Sequence, residues 1–372
     1  MSRIFYSVGA EGRGHATRVR TVIESIKDQH KITLFAPGHA FDLLEPIYRH
    51  SPVKVKSIPG ISQYNIGSRL SYIKTGWFGM QYLVQLPGLL KELRKEIDSG
   101  QPDLVITDFE PSLPRAACDC GVPFISLNHQ HFLLTYDLSS LPDYLQKQSS
   151  LMAKVVQSFY KGQKETIVSS FYFPPLKSEY KSTIQIGILL RPEILQAKTS
   201  TQSYLVAYLR RTPPLQVLKA LERCGIEVRI YGLGARPCSG LMRFYEVNAY
   251  RFVEDLSGCR GLISTAGNQL IGEALYLNKP VLCMPELNNY EQEINAHFLN
   301  ESGGGRAVPM EQFSLKHIQT FLDDLDQYQL RFDRLRLNGN PGAIKAIKRH
   351  LSDKPYLDKS DDSIIFQTEA AL

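Results

Sequence analysis

Leu262-Ile263-Ser264-Thr265-Ala266-Gly267-Asn268-Gln269-Leu270-Ile271-Gly272-Glu273-Ala274-Leu275 is followed by Lys279-Pro280-Val281-Leu282-Cys283-Met284-Pro285 and by Asn289-Tyr290-Glu291-Gln292-Glu293-Ile294-Asn295-Ala296. The first run reads as a buried strand, a Ser/Thr/Gly turn and a helix. The second reads as another buried strand, and the third as a helix that opens on an acid-Gln pair. A helix leaves its first amides without intrahelical partners, so the first turn of the helix that follows Gly267, from Asn268, offers donors to a diphosphate. Glu273, one turn further in, is suited to accept two hydroxyls of a ribose, and Glu291 and Gln292 to bind sugar hydroxyls. Strands alternating with helices over short connections make a parallel sheet covered by helices.

The same alternation extends outward in both directions. In the first half, strands are predicted at 3–8, 31–36, 53–57, 103–107, 123–127 and near 165–170, with helices at about 15–28, 38–48, 77–98, 110–120 and 143–161. Segment 58–76 is irregular and too long for an ordinary connection, which marks it as a functional loop. Near Gly187-Ile188-Leu189-Leu190-Arg191-Pro192 the pattern stops, and a polar stretch from Gln196 to Ser203 precedes a fresh strand at 204–208. Beyond it, strands are expected near 227–231, 244–247, 261–264 and 280–284, with helices at 213–224, 268–277, 291–302, 314–330 and 341–351. The fold class is therefore α/β, with two doubly wound Rossmann-like domains facing across a cleft. The expected boundaries are 1–190 for the first domain, 203–340 for the second, 341–352 for a C-terminal helix returning to the first, and 353–372 for a polar tail.

Composition agrees with that reading. With 43% hydrophobic and 22% charged residues, 372 residues can bury two cores, and collagen-like, coiled-coil and disordered classes are excluded. Lys plus Arg exceed Asp plus Glu by 43 to 37 without a long basic run, so mild attraction to phosphate or an anionic membrane is expected, not a dedicated nucleic-acid interface. Six irregularly spaced cysteines do not make a disulfide framework, which points to a reducing cytoplasm. The N-terminus reads as a strand and not as a signal peptide. The longest apolar stretch, Tyr82 to Leu90, is broken by Gln85, Pro87 and Gly88, so membrane contact would be peripheral.

The first half carries its own candidate site. Gly9-Ala10-Glu11-Gly12-Arg13-Gly14-His15-Ala16-Thr17-Arg18 follows the first strand and opens the first helix. Its glycines, Gly12 and Gly14 among them, let backbone approach a ligand, but their spacing is neither the dinucleotide fingerprint nor a P-loop. His15 at the mouth of a parallel sheet is a candidate general base. Ile106-Thr107-Asp108-Phe109-Glu110-Pro111 ends a strand, where doubly wound folds place ligands. Asp108 or Glu110 would orient His15 or replace it, or Asp108 would cap the following helix. Asn128-His129-Gln130-His131 faces the same cleft and is placed to meet acceptor hydroxyls. Cys118-x-Cys120 with His129-x-His131 does not match a structural zinc spacing, and Asp324-Leu325-Asp326 reads as a solvated charge run, so no metal is expected.

On these residues the chain resembles nucleotide-sugar glycosyltransferases with the GT-B fold. It is similar to the peptidoglycan lipid-intermediate N-acetylglucosaminyltransferase family and its uncharacterised relatives. The run Phe252 to Ala296 resembles the donor signature, Gly12 to His15 the acceptor-side loop, and Gly187 to Pro192 the interdomain segment. The resemblance implies Phe252 and Val253 against the base, Ser264 to Gly267 and the following amides on the diphosphate, Glu273 on the ribose, and Glu291, Gln292 and Asn295 on the transferred sugar. Where relatives carry a small-residue phosphate loop this chain has Tyr208-Leu209-Arg210-Arg211, so Arg210 or Arg211 would supply charge instead. Gly12, Gly14, Glu110 and His129 fall on the acceptor side.

The implied activity is inverting, metal-independent transfer from a UDP-linked sugar to a hydroxyl acceptor. The nucleotide-sugar serves as co-substrate and no other cofactor is needed. Segment Tyr64 to Arg94 mixes aromatic, aliphatic and basic residues, which suit either a lipid-linked acceptor at the inner face of an anionic membrane or a core helix with a mobile loop. A UDP-N-acetylglucosamine 2-epimerase and a catalytically silent nucleotide-sugar-binding protein are the alternatives.

Overall fold

The computed structural model describes residues 1–10, 13–61, 65–66, 69–70, 72–210 and 213–351, apart from the side chains of 65–66, 69–70, 72–76 and 78. The first half runs β1 (Arg3–Val8), α1 (Arg13–Ile26), β2 (Lys31–Ala36), α2 (Gly38–Tyr48), β3 (Lys54–Ser57), a short pair β4 (Asn65–Ile66) and β5 (Arg69–Leu70), and α3 (Tyr72–Gly100). It continues through β6 (Leu104–Asp108), α4 (Ser112–Asp119), β7 (Phe124–Asn128), α5 (Phe132–Thr135), α6 (Asp143–Phe159), β8 (Glu165–Ser169) and β9 (Ile184–Ile186). The second half begins with α7 (Pro192–Gln196), then β10 (Tyr204–Tyr208), α8 (Leu215–Glu222), β11 (Glu227–Tyr231), β12 (Met242–Tyr245), α9 (Ala249–Gly258) and β13 (Leu262–Ser264). There follow α10 (Asn268–Tyr276), β14 (Val281–Cys283), α11 (Tyr290–Ser302), β15 (Gly305–Ala307), α12 (Leu315–Asp323) and α13 (Asn340–Leu351).

Seven strands form the first sheet in the order β3-β2-β1-β6-β7-β8-β9, and six form the second in the order β12-β11-β10-β13-β14-β15. Every pairing in both is parallel. Such sheets are covered on both faces, which is why their central strands are continuous apolar runs: Ile4, Tyr6, Val8, Leu104 and Ile106 are fully buried, as are Leu205, Val206, Ile263 and Leu282. Strand order reverses between β1 and β6 in one sheet and between β10 and β13 in the other. These reversals open crevices at the carboxyl ends of the strands, where such folds bind ligands.

The chain passes between the halves twice. At the first passage Gly187 has carbonyls of Arg336 and Leu337 where a Cβ would sit, 2.4 Å away, and Gly339 on the return has Gly187 O at 2.1 Å. Only glycine permits that approach. Asn340 fastens the crossing, accepting from Leu190 N at 2.8 Å and donating to Leu190 O at 2.7 Å. Helix α13 then packs on the first half, where Ala343, Ala346 and Ile347 join its core.

The structure differs from sequence expectation at the edges. Strands β9 and β15 and helix α9 have no counterpart among the expected elements. The helix expected at 314–330 ends at Asp323, and Asp324 and Asp326 fall at a 3-10 turn, Leu325–Gln327. The tail 353–372 and part of the 58–76 segment lie outside the described residues.

Candidate active site

Strands β1 and β6 lie side by side, with Val8 in register with Asp108. Beyond them Gly9 N–H donates to Asp108 O at 2.8 Å, which turns the chain toward α1. His15, in the first turn of α1, has Nδ1 2.8 Å from Asp108 Oδ1. Arg18, one turn on, grips the same carboxylate with a fork: Nε donates to Oδ2 at 3.0 Å and Nη2 to Oδ1 at 2.8 Å. Asp108 is wholly buried and Arg18 is 4% exposed, whereas the His15 side chain keeps 13% exposure.

Arg18 Nη2 also lies 2.8 Å from His15 Nδ1, and an arginine only donates, so Nδ1 either donates to Asp108 or accepts from Arg18, according to the tautomer. Nε2 makes no hydrogen bond among the described residues, and with Nδ1–H turned to Asp108 it carries the lone pair of the ring. Burial works against the Asp108 charge, but the Arg18 and His15 charges and hydrogen bonds outweigh it and hold the carboxyl below its ordinary range. The Phe109 ring lies nearly parallel to His15 with centroids 6.2 Å apart. To place it there, Phe109 adopts a left-handed φ of 58°, a conformation bulky residues rarely take.

Glu110 serves another purpose. Its Oε1 accepts from Ser112 N at 2.7 Å and its Oε2 from Leu113 N at 2.9 Å, satisfying the first amides of α4. Burial raises its pKa. The helix cap considered for Asp108 is thus Glu110, and Asp108 is left for His15. Gly14 faces the second half, with Gln269 Cβ 3.7 Å from where its own Cβ would lie; Gly12 lies outside the described residues.

At the end of β7 the halves meet through buried polar groups. The ring nitrogens of His129 lie 3.2 Å from Ser169 O and 3.2 Å from Asn295 Oδ1 of α11. Asn295 also accepts from Tyr172 Oη at 3.0 Å and donates to Ala266 O at 2.9 Å. Burial pushes the His129 pKa down to about 4, so this histidine is neutral and structural at ordinary pH. Asn268, expected at the diphosphate, reaches the first half as well: its Nδ2 donates to Ser169 O at 3.2 Å and its Oδ1 accepts from Phe171 N at 3.3 Å. Gln130 points at Glu291, Nε2 to Oε2 at 3.5 Å.

In the second half, β13 ends at Ser264, whose hydroxyl donates to Thr265 O at 2.9 Å. The turn Thr265-Ala266-Gly267 leads into α10; Gly267 N–H donates to Thr265 O at 2.8 Å, and a Cβ on Gly267 would meet nothing within 4 Å, so there is room beside the helix start at Asn268. Tyr208 pairs in register with Ser264, so exposed Arg210, two residues on, leaves its strand at the same sheet end as this turn; Arg211 lies outside the described residues.

Four expected donor residues are otherwise engaged. Phe252 and Val253 are each 4% exposed and belong to the core, Phe252 edge-on to Tyr208 and Tyr231, so their side chains are not free to lie against a base. Both Glu273 oxygens accept from Arg191, at 3.1 and 2.7 Å, and Oε1 also from Gln269 Nε2 at 3.1 Å; ribose hydroxyls would have to displace that fork. Gln292 is held at both ends by Glu286, accepting from its N–H at 2.8 Å and donating to its Oε2 at 3.1 Å. Glu291 remains half-buried at the cleft.

Comparison with known proteins agrees with this architecture. Residues 2–326 match the model of the family described as Glycosyl transferase family 1. An uncharacterized glycosyltransferase of Methanosarcina acetivorans is 23% identical over 396 residues, spanning 94% of this chain and 97% of the relative. Among solved structures, Arabidopsis thaliana UGT89C1 complexed with UDP-L-rhamnose superposes with a TM-score of 0.66 at 13% identity, over 93% of this chain and 98% of that one. The calicheamicin glycosyltransferase CalG4 does so with a TM-score of 0.63 at 14% identity, over 94% and 98%. At such identities these likenesses speak for the fold, two Rossmann-like halves in the GT-B arrangement.

Proposed function

From a chain that belongs to glycosyl transferase family 1, we propose a UDP-sugar-dependent transferase that inverts the anomeric centre without a metal ion or other cofactor. The observation that carries the reading is the His15–Asp108–Arg18 cluster at one strand-order reversal and the open N-terminus of α10 at the other. An acceptor hydroxyl gives its proton to His15 Nε2 as its oxygen bonds to the anomeric carbon. The bond from that carbon to the diphosphate oxygen breaks on the opposite face, which inverts the centre. Charge then grows on the leaving nucleoside diphosphate, where the amide at Asn268, the first of α10, and the Arg210 guanidinium stabilise it. Glu291 holds the transferred sugar, and Glu273 takes the ribose once Arg191 yields.

The donor half of this reading is tested by thermal unfolding with UDP, dTDP and GDP. A ligand that binds only the folded state stabilises it by about 2.7 kcal/mol at one hundred times its Kd, so one base series should raise Tm by several degrees. No shift with any of the three would remove the nucleotide-sugar reading.

For the acceptor we propose a lipid-linked hydroxyl met at an anionic membrane surface. Among the described residues no helix is long and apolar enough to cross a membrane. Helix α3, however, turns apolar side chains outward: Trp77, Met80, Leu83 and Val84 are 66%, 61%, 54% and 80% exposed. Tyr82 and Leu86 of the same helix share a core cluster with Tyr160 at the end of α6, whose outer face carries exposed Leu151 and Val155 with Lys147 and Lys154. Apolar groups flanked by lysines suit an anionic interface. The protein should co-sediment with phosphatidylglycerol vesicles but weakly with phosphatidylcholine vesicles, and Trp77→Ser with Val84→Ser should abolish the difference. Equal sedimentation of wild type and double variant would refute the membrane contact.

A further inference from the structure

Gln130 follows β7, next to the strand that ends in Asp108, so it borders the same crevice as His15. The residue is 7% exposed, and its Oε1 is buried without a hydrogen-bond partner among the described residues. A buried carbonyl oxygen left unpaired is costly, so an oxygen kept in that state is matched to a donor the protein itself does not supply. The orientation of the amide follows from Glu291. Nε2 faces the acceptor Oε2 at 3.5 Å, and turning the amide round would set two acceptors against each other. That contact is at the outer limit of a hydrogen bond and is easily exchanged. Gln292, the expected partner of Glu291 in sugar recognition, is 3% exposed with its amide held by Glu286 at both ends.

We infer that Gln130, reaching across from the first half, takes the place of Gln292 and forms with Glu291 a subsite for hydroxyls of the transferred sugar. One hydroxyl donates to Gln130 Oε1 and its neighbour on the ring to the Glu291 carboxyl, while Gln130 Nε2 donates to an oxygen of the pair. The ligand class is a hexose with two adjacent free hydroxyls. Because the two residues come from opposite halves, the sugar is recognised only when the halves are together. The inference rests on reading the cleft as a nucleotide-sugar site.

Titration calorimetry with UDP, UDP-glucose and the singly deoxygenated UDP-glucoses tests it, on wild type and on Gln130→Met, which keeps the side-chain volume and removes the amide. On wild type, at least one deoxygenated donor should bind about five- to tenfold more weakly than UDP-glucose. In Gln130→Met, UDP should bind as before, UDP-glucose should weaken by a similar factor, and that deoxygenated donor should lose nothing more. Equal affinities of wild type for all the deoxygenated donors would overturn the subsite without using a variant. So would an unchanged ratio of UDP-glucose to UDP binding in Gln130→Met. If wild type binds neither UDP nor UDP-glucose, the donor reading fails and the subsite falls with it, a result distinct from intact UDP binding with no effect of Gln130.

Discussion

His15→Ala should lower the rate of nucleoside diphosphate release from UDP-glucose by roughly 100- to 10,000-fold, the usual contribution of a positioned base, and leave UDP affinity within twofold. On the proposed mechanism Nδ1–H faces Asp108 and Nε2 takes the proton, and the surroundings of Asp108 disfavour it as the base. The carboxyl is fully buried, its oxygens accept from Arg18 and His15, and it is held in the ionised form below the usual carboxyl range, where it is a weak base. Glu110 is occupied at the start of α4. His15→Gln can still donate to Asp108 but cannot take a proton, so it should resemble His15→Ala in rate and wild type in stability. A rate within threefold of wild type for His15→Ala would move the base elsewhere. A loss of UDP binding in step with rate would make His15 a ligand-binding group.

Much of this site was legible because its elements are driven by patterns that sequence displays directly. The β1, β6, β10 and β13 runs are buried on both faces, and β1 and β13 are followed by a Gly or Ser/Thr turn, so those strand ends and the side chains beyond them fall where the pattern changes. Strands β9 and β15 are not legible, because three residues at a sheet edge carry no periodicity. Arg18 does carry a signal, since spacing of three on a helix sets it over His15. Phe252 illustrates a real degeneracy: an aromatic residue near a ligand loop and one in a core look alike until burial is known. The same holds for Glu273 and Gln292, polar residues at the expected spacings whose partners, Arg191 and Glu286, are fixed only by folding. Gln130 could be placed at the cleft by strand order, but its unpaired oxygen exists only in three dimensions.

Arg18→Met should destabilise the fold by about 3–5 kcal/mol at neutral pH, the usual cost of stripping one partner from a buried ion pair. Methionine fills most of the space, so the loss reports the stranded Asp108 carboxylate and not a cavity. The dependence on pH separates these causes. In wild type the Asp108 pKa lies below its unfolded value, so the carboxyl adds stability above the unfolded pKa, and that contribution disappears as pH falls through the folded value. Without Arg18 the burial that now opposes the charge prevails and the folded pKa rises above the unfolded one. The carboxyl then costs stability at neutral pH, and protonation relieves that cost as pH falls. The difference between wild type and variant, measured by urea denaturation, should therefore be largest near pH 7 and shrink toward pH 4. Adding Asp108→Asn to Arg18→Met should restore most of the stability at pH 7 but none of the turnover, because the neutral amide no longer fixes the His15 tautomer. A difference that stays constant from pH 7 to 4 would assign the loss to packing and leave Arg18 without an electrostatic role.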